Sequence, residues 1–160
     1  MKSWLGKKLI NHQLEALRAG DPKPSLRLDS RKIEMLFPGD SSWGGLIKGK
    51  KAHKAWLERL CAAGLQLFAD EVIVKGTPWN TTICIRGTDH LDDDAGNRVY
   101  ENRYVIWGKL RWGKLRRYEV YEDTVKTLAL DRWMDETRHP ASAGALSSAR
   151  RRRRERRQAA

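Results

Sequence analysis

Residues 103–121 read RYVIWGKLRWGKLRRYEVY, and this stretch decides the fold of the chain. Its β-branched and aromatic residues are typical of strands, and the tripeptide WGK at 112–114 predicts a tight turn between two of them. Apolar runs at 32–37, 72–74 and 82–86 predict further strands, because turn-forming residues separate them. The sequence therefore predicts successive antiparallel strands that end in a hairpin.

Apolar residues at helical spacing predict helices on both sides of these strands. Ile10, Leu14 and Leu17 share one face of a first helix, a second helix covers residues 50–63, and a last one covers residues 123–139. This order predicts an α+β domain in which helices pack on one face of a curved sheet. Such a sheet can enclose a cavity, where ligand sites are commonly found.

Half of the net charge of +12 lies in one short run near the end of the chain. Residues 150–157, RRRRRERR, carry seven arginines and one glutamate, which sums to +6. We predict a domain at 1–139 and a disordered Arg-rich tail at 140–160. An arginine run binds phosphates without sequence preference, so the tail is a candidate nucleic-acid segment; the alternative is a solvated extension without a partner. The candidate contacts are Arg150, Arg151, Arg152, Arg153 and Arg154.

Several classes of protein are disfavoured by the composition. Apolar stretches are shorter than the roughly 18 residues of a membrane-spanning helix, so no membrane association is expected. The first residues have no apolar core of the signal-peptide type, which favours a cytoplasmic location. Glycine-rich phosphate-binding motifs and metal-ligand spacings are missing from the sequence, so no cofactor and no metal is predicted.

Five motifs together carry a resemblance to a known family. They occur in this order: FPGDSSWGG at 37–45, GKKAHKAWL at 49–57, EVIVKGTPWNTTICIRG at 71–87, YENRYVIWGKLRWGKL at 100–115 and YEVYEDT at 118–124. The series resembles SnoaL-like proteins of the wider superfamily of nuclear transport factor two and ketosteroid isomerase. The resemblance implies a cone-shaped α+β barrel whose curved antiparallel sheet wraps around the N-terminal helices, with a closing C-terminal helix. It also implies a deep pocket for a small apolar molecule and a homodimer formed through the sheet.

The resemblance leaves the activity open, because the superfamily includes isomerases, cyclases, hydrolases and proteins without catalysis. The base aspartate of ketosteroid isomerases corresponds to Phe37 here, so that mechanism is not expected. The predicted function is a small-molecule pocket protein, with carboxylate acid–base chemistry on an apolar carbonyl compound if it is an enzyme. A non-catalytic dimeric ligand-binding or scaffold module is the alternative.

Strand alternation predicts which residues of the hairpin contact a ligand. Its uncharged face would form the pocket wall: Tyr100, Asn102, Tyr104, Ile106, Leu110 and Trp112. We predict that Asn102 or Tyr104 donates to an oxyanion on the ligand, with Trp43, Trp79 and Tyr121 as further contacts. Plain core packing is the alternative for the wall, and sealing of the sheet is the alternative for Trp79.

Three carboxylates are predicted as catalytic acids or bases, since a carboxyl group in an apolar cavity has a raised pKa. They are Asp40, beside the loop tryptophan, and the pair Glu119 and Asp123, which simple alternation places on one face of the last strand. Each has a structural alternative. Asp40 suits a turn, Glu119 suits an ion pair with Arg103 or Arg117, and Asp123 suits the N-cap of the last helix.

Overall fold

The computed structural model describes residues 3–148, with side chains from residue 6 onward. The helices are α1 (Ser3–Arg18), α2 (Lys23–Leu28), α3 (Lys50–Ala63) and α4 (Thr124–Glu136). The strands are β1 (Asp29–Phe37), β2 (Gly45–Lys48), β3 (Gln66–Thr77), β4 (Asn80–Asp92), β5 (Arg98–Arg111) and β6 (Lys114–Glu122). In this part of the chain no helix is long and apolar enough to cross a membrane.

The strands form one curved, open sheet of six strands in the order β2-β1-β6-β5-β4-β3. Neighbouring strands are antiparallel except β1 and β6, which are parallel. The predicted α+β class and the curved sheet are confirmed, but the prediction of a wholly antiparallel sheet is wrong for that pair. A parallel pair needs a long connection, and α3 and four strands lie between β1 and β6 in the chain.

Helices α1 and α3 cover the inner face of the sheet, and α4 packs against strand β5. The apolar stripe of α1 that the sequence predicts is buried, and Leu57, Leu60 and Ala63 form the buried face of α3. Because a helix exposes one stripe and buries the other, the lysines of α3 remain in solvent. The space between these helices and the strands contains the candidate site.

A β-bulge in β6 decides which side chains of that strand face inward. Leu110 pairs with Leu115, whereas the preceding residue Lys109 pairs with Arg117, so Arg116 is left over. One extra residue reverses the inside–outside alternation beyond it. The inner residues after the bulge are Tyr118, Val120 and Glu122.

The first residues of the predicted tail are folded onto the domain. Ala141 and Ser142 are buried, and the carbonyl of Ala141 accepts a hydrogen bond of 2.9 Å from Arg59 Nε. Residues 143–148 are helical. The predicted disorder is therefore wrong for residues 140–148. The predicted nucleic-acid contacts Arg150–Arg154 lie outside the described residues, and that function stays a prediction.

Candidate functional site

The three carboxylates predicted to be catalytic lie outside the interior cavities. Asp40 is exposed on the loop after β1. Glu119 lies on the outer face of the sheet, where it accepts a hydrogen bond of 3.0 Å from Arg117 Nε and another from the hydroxyl of Tyr121. Asp123 is the N-cap of α4, which is the alternative role that the sequence suggested for it. The bulge in β6 is the physical reason for the misplacement of Glu119, because simple alternation from Leu115 assigns it to the wrong face.

The cap at Asp123 gives a testable stability prediction. Its carboxylate accepts a hydrogen bond of 3.0 Å from the backbone N–H of Val125 and a weaker one from Lys126. We expect Asp123→Ala to lower the free energy of unfolding by about 1 kcal/mol, as loss of an N-cap does. Urea unfolding would measure the loss, with Asp40→Ala as the exposed control. Equal stabilities of the two variants would contradict the prediction.

The predicted aromatic and amide contacts divide between the interior and the surface. Trp43 and Tyr104 are buried and line the cavity between α1, α3, α4 and the sheet, which we call the main cavity because it contains the candidate site. Asn102 is buried behind the cavity wall, where its amide donates 3.0 Å hydrogen bonds to the Tyr100 hydroxyl and the Asp123 carbonyl. Tyr121 is on the outer face with Glu119. Trp79 is half-exposed at the β3–β4 turn, with its ring 6.0 Å from that of Trp112.

The main cavity has a volume of about 100 Å³ and lies between α1, α3, α4 and the sheet. Its wall is largely apolar or aromatic and includes Leu14, Leu17, Phe37, Trp43, Trp56, Leu57, Leu60, Tyr104 and Leu130. Polar groups interrupt this surface at Asp89, Glu122 and Thr127 and at three tyrosines, Tyr100, Tyr104 and Tyr118. An apolar cavity with a few convergent polar groups is the usual form of a small-molecule site.

Among the side chains that line this cavity, Asp89 is the best suited to acid–base chemistry. It follows Ile83, Ile85 and Gly87 on the inner face of β4, and only 6% of it is exposed. Within residues 3–148, no group donates a hydrogen bond to its Oδ1 atom. Burial raises the pKa of Asp89 to about 7, and the nearby Glu122 carboxylate adds to the rise. A carboxyl group that exchanges its proton near neutral pH suits general acid–base chemistry.

Glu122 is held more tightly than Asp89. Its Oε1 atom accepts a hydrogen bond of 2.8 Å from the Thr127 hydroxyl and a longer one of 3.4 Å from Tyr100. Burial raises the pKa of Glu122, while these two hydrogen bonds act in the opposite direction. Burial, with Asp89 and Glu122 nearby, also raises the pKa of Tyr100, so this phenol keeps its proton at neutral pH. Its single proton is donated to Glu122 over the long 3.4 Å contact, and a ligand oxygen that accepts from Tyr100 would replace that contact.

A second cavity of about 140 Å³ lies next to the first, towards β1 and α2. The two share Leu14, Leu17, Leu57, Ile106 and Tyr118 as wall residues. A buried polar chain reaches this second cavity. His53 Nδ1 lies 2.7 Å from Asp29 Oδ2, and His53 Nε2 lies 2.6 Å from the hydroxyl of Tyr118. Nowhere in the described part of the chain do three or more metal-ligating side chains gather as a metal site would require.

These groups escaped the sequence reasoning for different reasons. Asp89 carried a usable signal, because it continues the alternation of Ile83 and Ile85, but the acidic run around it also resembles a hairpin turn. Glu122 lies beyond the bulge, which has no clear sequence signature. Asp29 and His53 meet only through the packing of α3 against β1. Their spacing in the chain fits no ligand or catalytic motif.

Comparisons with known proteins define the class of this fold. No protein-family model and no curated protein matches the chain. Solved structures do match it. An NTF2-like protein of unknown function from Burkholderia pseudomallei has a TM-score of 0.64 at 20% identity, over 78% of this chain and 95% of that one. PrhC from Penicillium brasilianum has a TM-score of 0.67 at 14% identity, over 88% and 93% of the two chains.

A third similar structure contains a ligand. It is a Mycobacterium tuberculosis protein solved in complex with estradiol-17beta-hemisuccinate, with a TM-score of 0.61 at 21% identity, over 74% of this chain and 93% of that one. The chain thus has a cone-shaped α+β fold. This fold is similar to that of the NTF2-like protein from B. pseudomallei, and the SnoaL-like resemblance predicted a fold of this kind. At these identities the comparisons establish the fold alone, so function must be argued from the site.

Proposed function

We propose that the protein binds a small, largely apolar molecule in the main cavity and that Asp89 exchanges a proton with it. The observation that carries the proposal is the buried Asp89 carboxyl group on an apolar wall, with an oxygen that receives no hydrogen bond from the described residues. Burying an unpaired polar group destabilises a protein. A ligand that hydrogen-bonds to this oxygen would offset that cost.

The chemistry that fits this arrangement is proton transfer next to a carbonyl group. In its charged form, Asp89 would act as the base that removes a proton from carbon. The Tyr100 hydroxyl, which keeps its proton, would donate a hydrogen bond to the oxygen on which negative charge develops. This assignment retains the predicted carboxylate chemistry and moves it from the outer-face and loop carboxylates to Asp89. The similar M. tuberculosis structure with estradiol-17beta-hemisuccinate supports a small-molecule ligand for this fold.

Cyclohexanone in D₂O provides a direct test, since removal of its α-proton appears as deuterium incorporation by NMR. We expect the protein to accelerate this exchange, with a rate that rises with pH, is half-maximal at about pH 7 and reaches a plateau where Asp89 is fully ionised. Asp89→Asn should abolish the acceleration, because an amide is not a base. Binding would be followed separately by the fluorescence of Trp43 and Trp56, which line the cavity.

Asp40→Asn is the matched control for that experiment, because it removes an exposed carboxylate of the same chain. It should leave both binding and exchange unchanged. Binding without exchange would reject the catalytic part of the proposal and leave a ligand-binding protein. Exchange that survives in Asp89→Asn would reject the role of Asp89.

We also propose that the outer face of the sheet forms a homodimer interface. Ile73 pairs with Cys84 and Cys84 with Trp107, while Val105 pairs with Tyr121, so these residues form one surface patch. Four of them are large apolar or aromatic residues that are more than a third exposed: Ile73, Val105, Trp107 and Tyr121. A contiguous exposed patch of this kind is typical of interaction sites.

Sedimentation velocity would test this interface. We expect the wild-type chain to sediment as a dimer and Trp107→Glu to weaken the dimer by roughly tenfold or more, because aromatic residues at interface centres dominate binding. Trp79→Glu is the control, since Trp79 is a half-exposed tryptophan at a hairpin tip outside the patch. A monomeric wild type, or equal effects of the two changes, would contradict the proposal.

A further inference from the structure

The second cavity contains two buried hydrogen-bond acceptors that the main site does not use. Gln13 on α1 and Asp29 at the start of β1 both line it, and they are 8% and 1% exposed. Inside the described range 3–148, neither Gln13 Oε1 nor Asp29 Oδ1 receives a hydrogen bond. Buried polar atoms in native proteins almost always have a partner, so each exception calls for an explanation.

Asp29 cannot satisfy its free oxygen by turning its carboxylate. Its other oxygen, Oδ2, lies 2.7 Å from His53 Nδ1, and this buried contact fixes that end of the side chain. His53 is fixed in turn by the Tyr118 hydroxyl at 2.6 Å from Nε2, and that hydroxyl also lies 3.0 Å from Met35 Sδ. The chain of contacts therefore fixes the side chain of Asp29, which lines the cavity.

The rest of the cavity is apolar and large enough for one ring. Its remaining wall is mainly aliphatic, with Ile10, Leu28, Ile83, Ile85, Leu110 and Leu115. Its volume of about 140 Å³ is close to that of an engineered apolar cavity, about 150 Å³, which binds benzene. A ligand must therefore be small, flat or compact, and mostly hydrocarbon.

We propose that this cavity is a second ligand site, which takes an uncharged single-ring molecule with two hydrogen-bond donors, of the dihydroxybenzene class. One hydroxyl donates to Asp29 Oδ1 and the other to Gln13 Oε1, while the ring occupies the aliphatic space. The site is independent of the proton transfer proposed for Asp89, because Asp89 does not line this cavity.

Three probes with two, one and no hydroxyl groups test the site: catechol, phenol and toluene, each titrated by calorimetry under reducing conditions. We expect the affinity for the wild type to increase by roughly fivefold with each hydroxyl group, because a typical hydrogen bond changes a binding constant by about this factor. Equal affinities for the three probes, or no binding of any of them, would overturn the proposal.

Variants then locate the site. Gln13→Leu keeps the size of the side chain and removes an acceptor that has no donor among residues 3–148, so this variant should fold. We expect it to bind catechol no more tightly than it binds phenol, and Asp29→Leu, which removes both carboxylate oxygens, to do the same. Circular dichroism checks folding, and Gln13→Leu carries the test if Asp29→Leu does not fold. A Gln13→Leu protein that keeps the full preference for catechol would overturn the proposal.

Asp89→Asn separates this site from the main one. It should keep the order catechol, phenol, toluene with unchanged ratios, because it alters only the neighbouring cavity. Loss of the order in Asp89→Asn together with its retention in Gln13→Leu would assign the probes to the main cavity and overturn the second site. Failure of the cyclohexanone exchange has no bearing on this result.

Discussion

Asp89→Asn is expected to raise the free energy of unfolding at pH 8 by up to about 4 kcal/mol and to leave it nearly unchanged at pH 3. Burial raises the pKa of Asp89 from 3.8 to about 7, so the folded protein holds this proton more tightly than the unfolded chain does. Each unit of pKa difference corresponds to about 1.4 kcal/mol. Below pH 3.8 the carboxyl is protonated in both states, and the full stability of the fold is present.

The expected loss of stability in the wild type lies between about pH 4 and pH 7. Over this interval the unfolded chain releases the proton while the folded protein retains it, so rising pH favours unfolding. Asparagine has a similar shape and cannot ionise, so the variant avoids this loss. Urea unfolding at pH 4, 6 and 8 would measure the difference between the two proteins as a function of pH.

Asp40→Asn provides the baseline for this comparison, since it changes the net charge equally at an exposed position. Asp40→Asn should change the free energy of unfolding by only a small amount. This change should not increase between pH 4 and pH 7, as it does in Asp89→Asn. If the two variants show the same pH dependence, the difference reflects net charge, and Asp89 does not carry a raised pKa. That result would also weaken the proton transfer proposed for the main cavity.

Gly87→Ala is expected to destabilise the fold by about 3 kcal/mol or more, because β4 has no room for a methyl group at this position. A Cβ atom on Gly87 would lie 2.1 Å from the carbonyl oxygen of Phe68 and 2.6 Å from the ring and hydroxyl of Tyr104. The Tyr104 hydroxyl donates a 2.9 Å hydrogen bond to that same carbonyl. A methyl group would therefore displace strand β3 and the cavity wall together.

Gly108→Ala is the matched control, since Gly108 also faces inward, on the neighbouring strand β5. A Cβ atom there would meet its nearest neighbours, Leu115 and Tyr118, at 3.5 Å, which is ordinary van der Waals contact. We expect a change within about 1 kcal/mol for this variant, as an extra methyl group in an existing space costs little. Thermal unfolding of both variants measures the contrast, and similar losses for the two would show that strand propensity, not crowding, sets the effect.

Much of the architecture follows from local sequence patterns. The spacing of Ile10, Leu14 and Leu17 predicts the buried stripe of α1, and alternation predicts the inner face of β5 from Tyr100 to Leu110. Exposed Trp112 departs from that face, because it lies in the turn beyond the strand. These predictions succeed because helix and strand periods place side chains on fixed faces, whatever the rest of the chain does.

The candidate sites depended on information that no single segment contains. Simple alternation assigned Glu119 to the pocket, whereas the bulge at Arg116 directs Glu122 inward instead. A single unpaired residue reverses every later side chain of a strand, and its presence is settled by pairing with the neighbouring strand. The cap at Asp123 was the reverse case, since an N-cap is decided within a few residues and the sequence suggested it directly.

The sequence by itself determined the class of fold, the helices that cover the sheet and the inner face of β5, because these depend on short-range periodicity. Tertiary structure alone decided the parallel pairing of β1 with β6, the contact of Asp29 with His53 and the unsatisfied oxygens of Asp29, Gln13 and Asp89 among residues 3–148. Burial and hydrogen bonding are properties of the whole packed molecule, and a pKa follows from both. Acidic residues that look alike in the sequence therefore differ in chemistry according to what surrounds them.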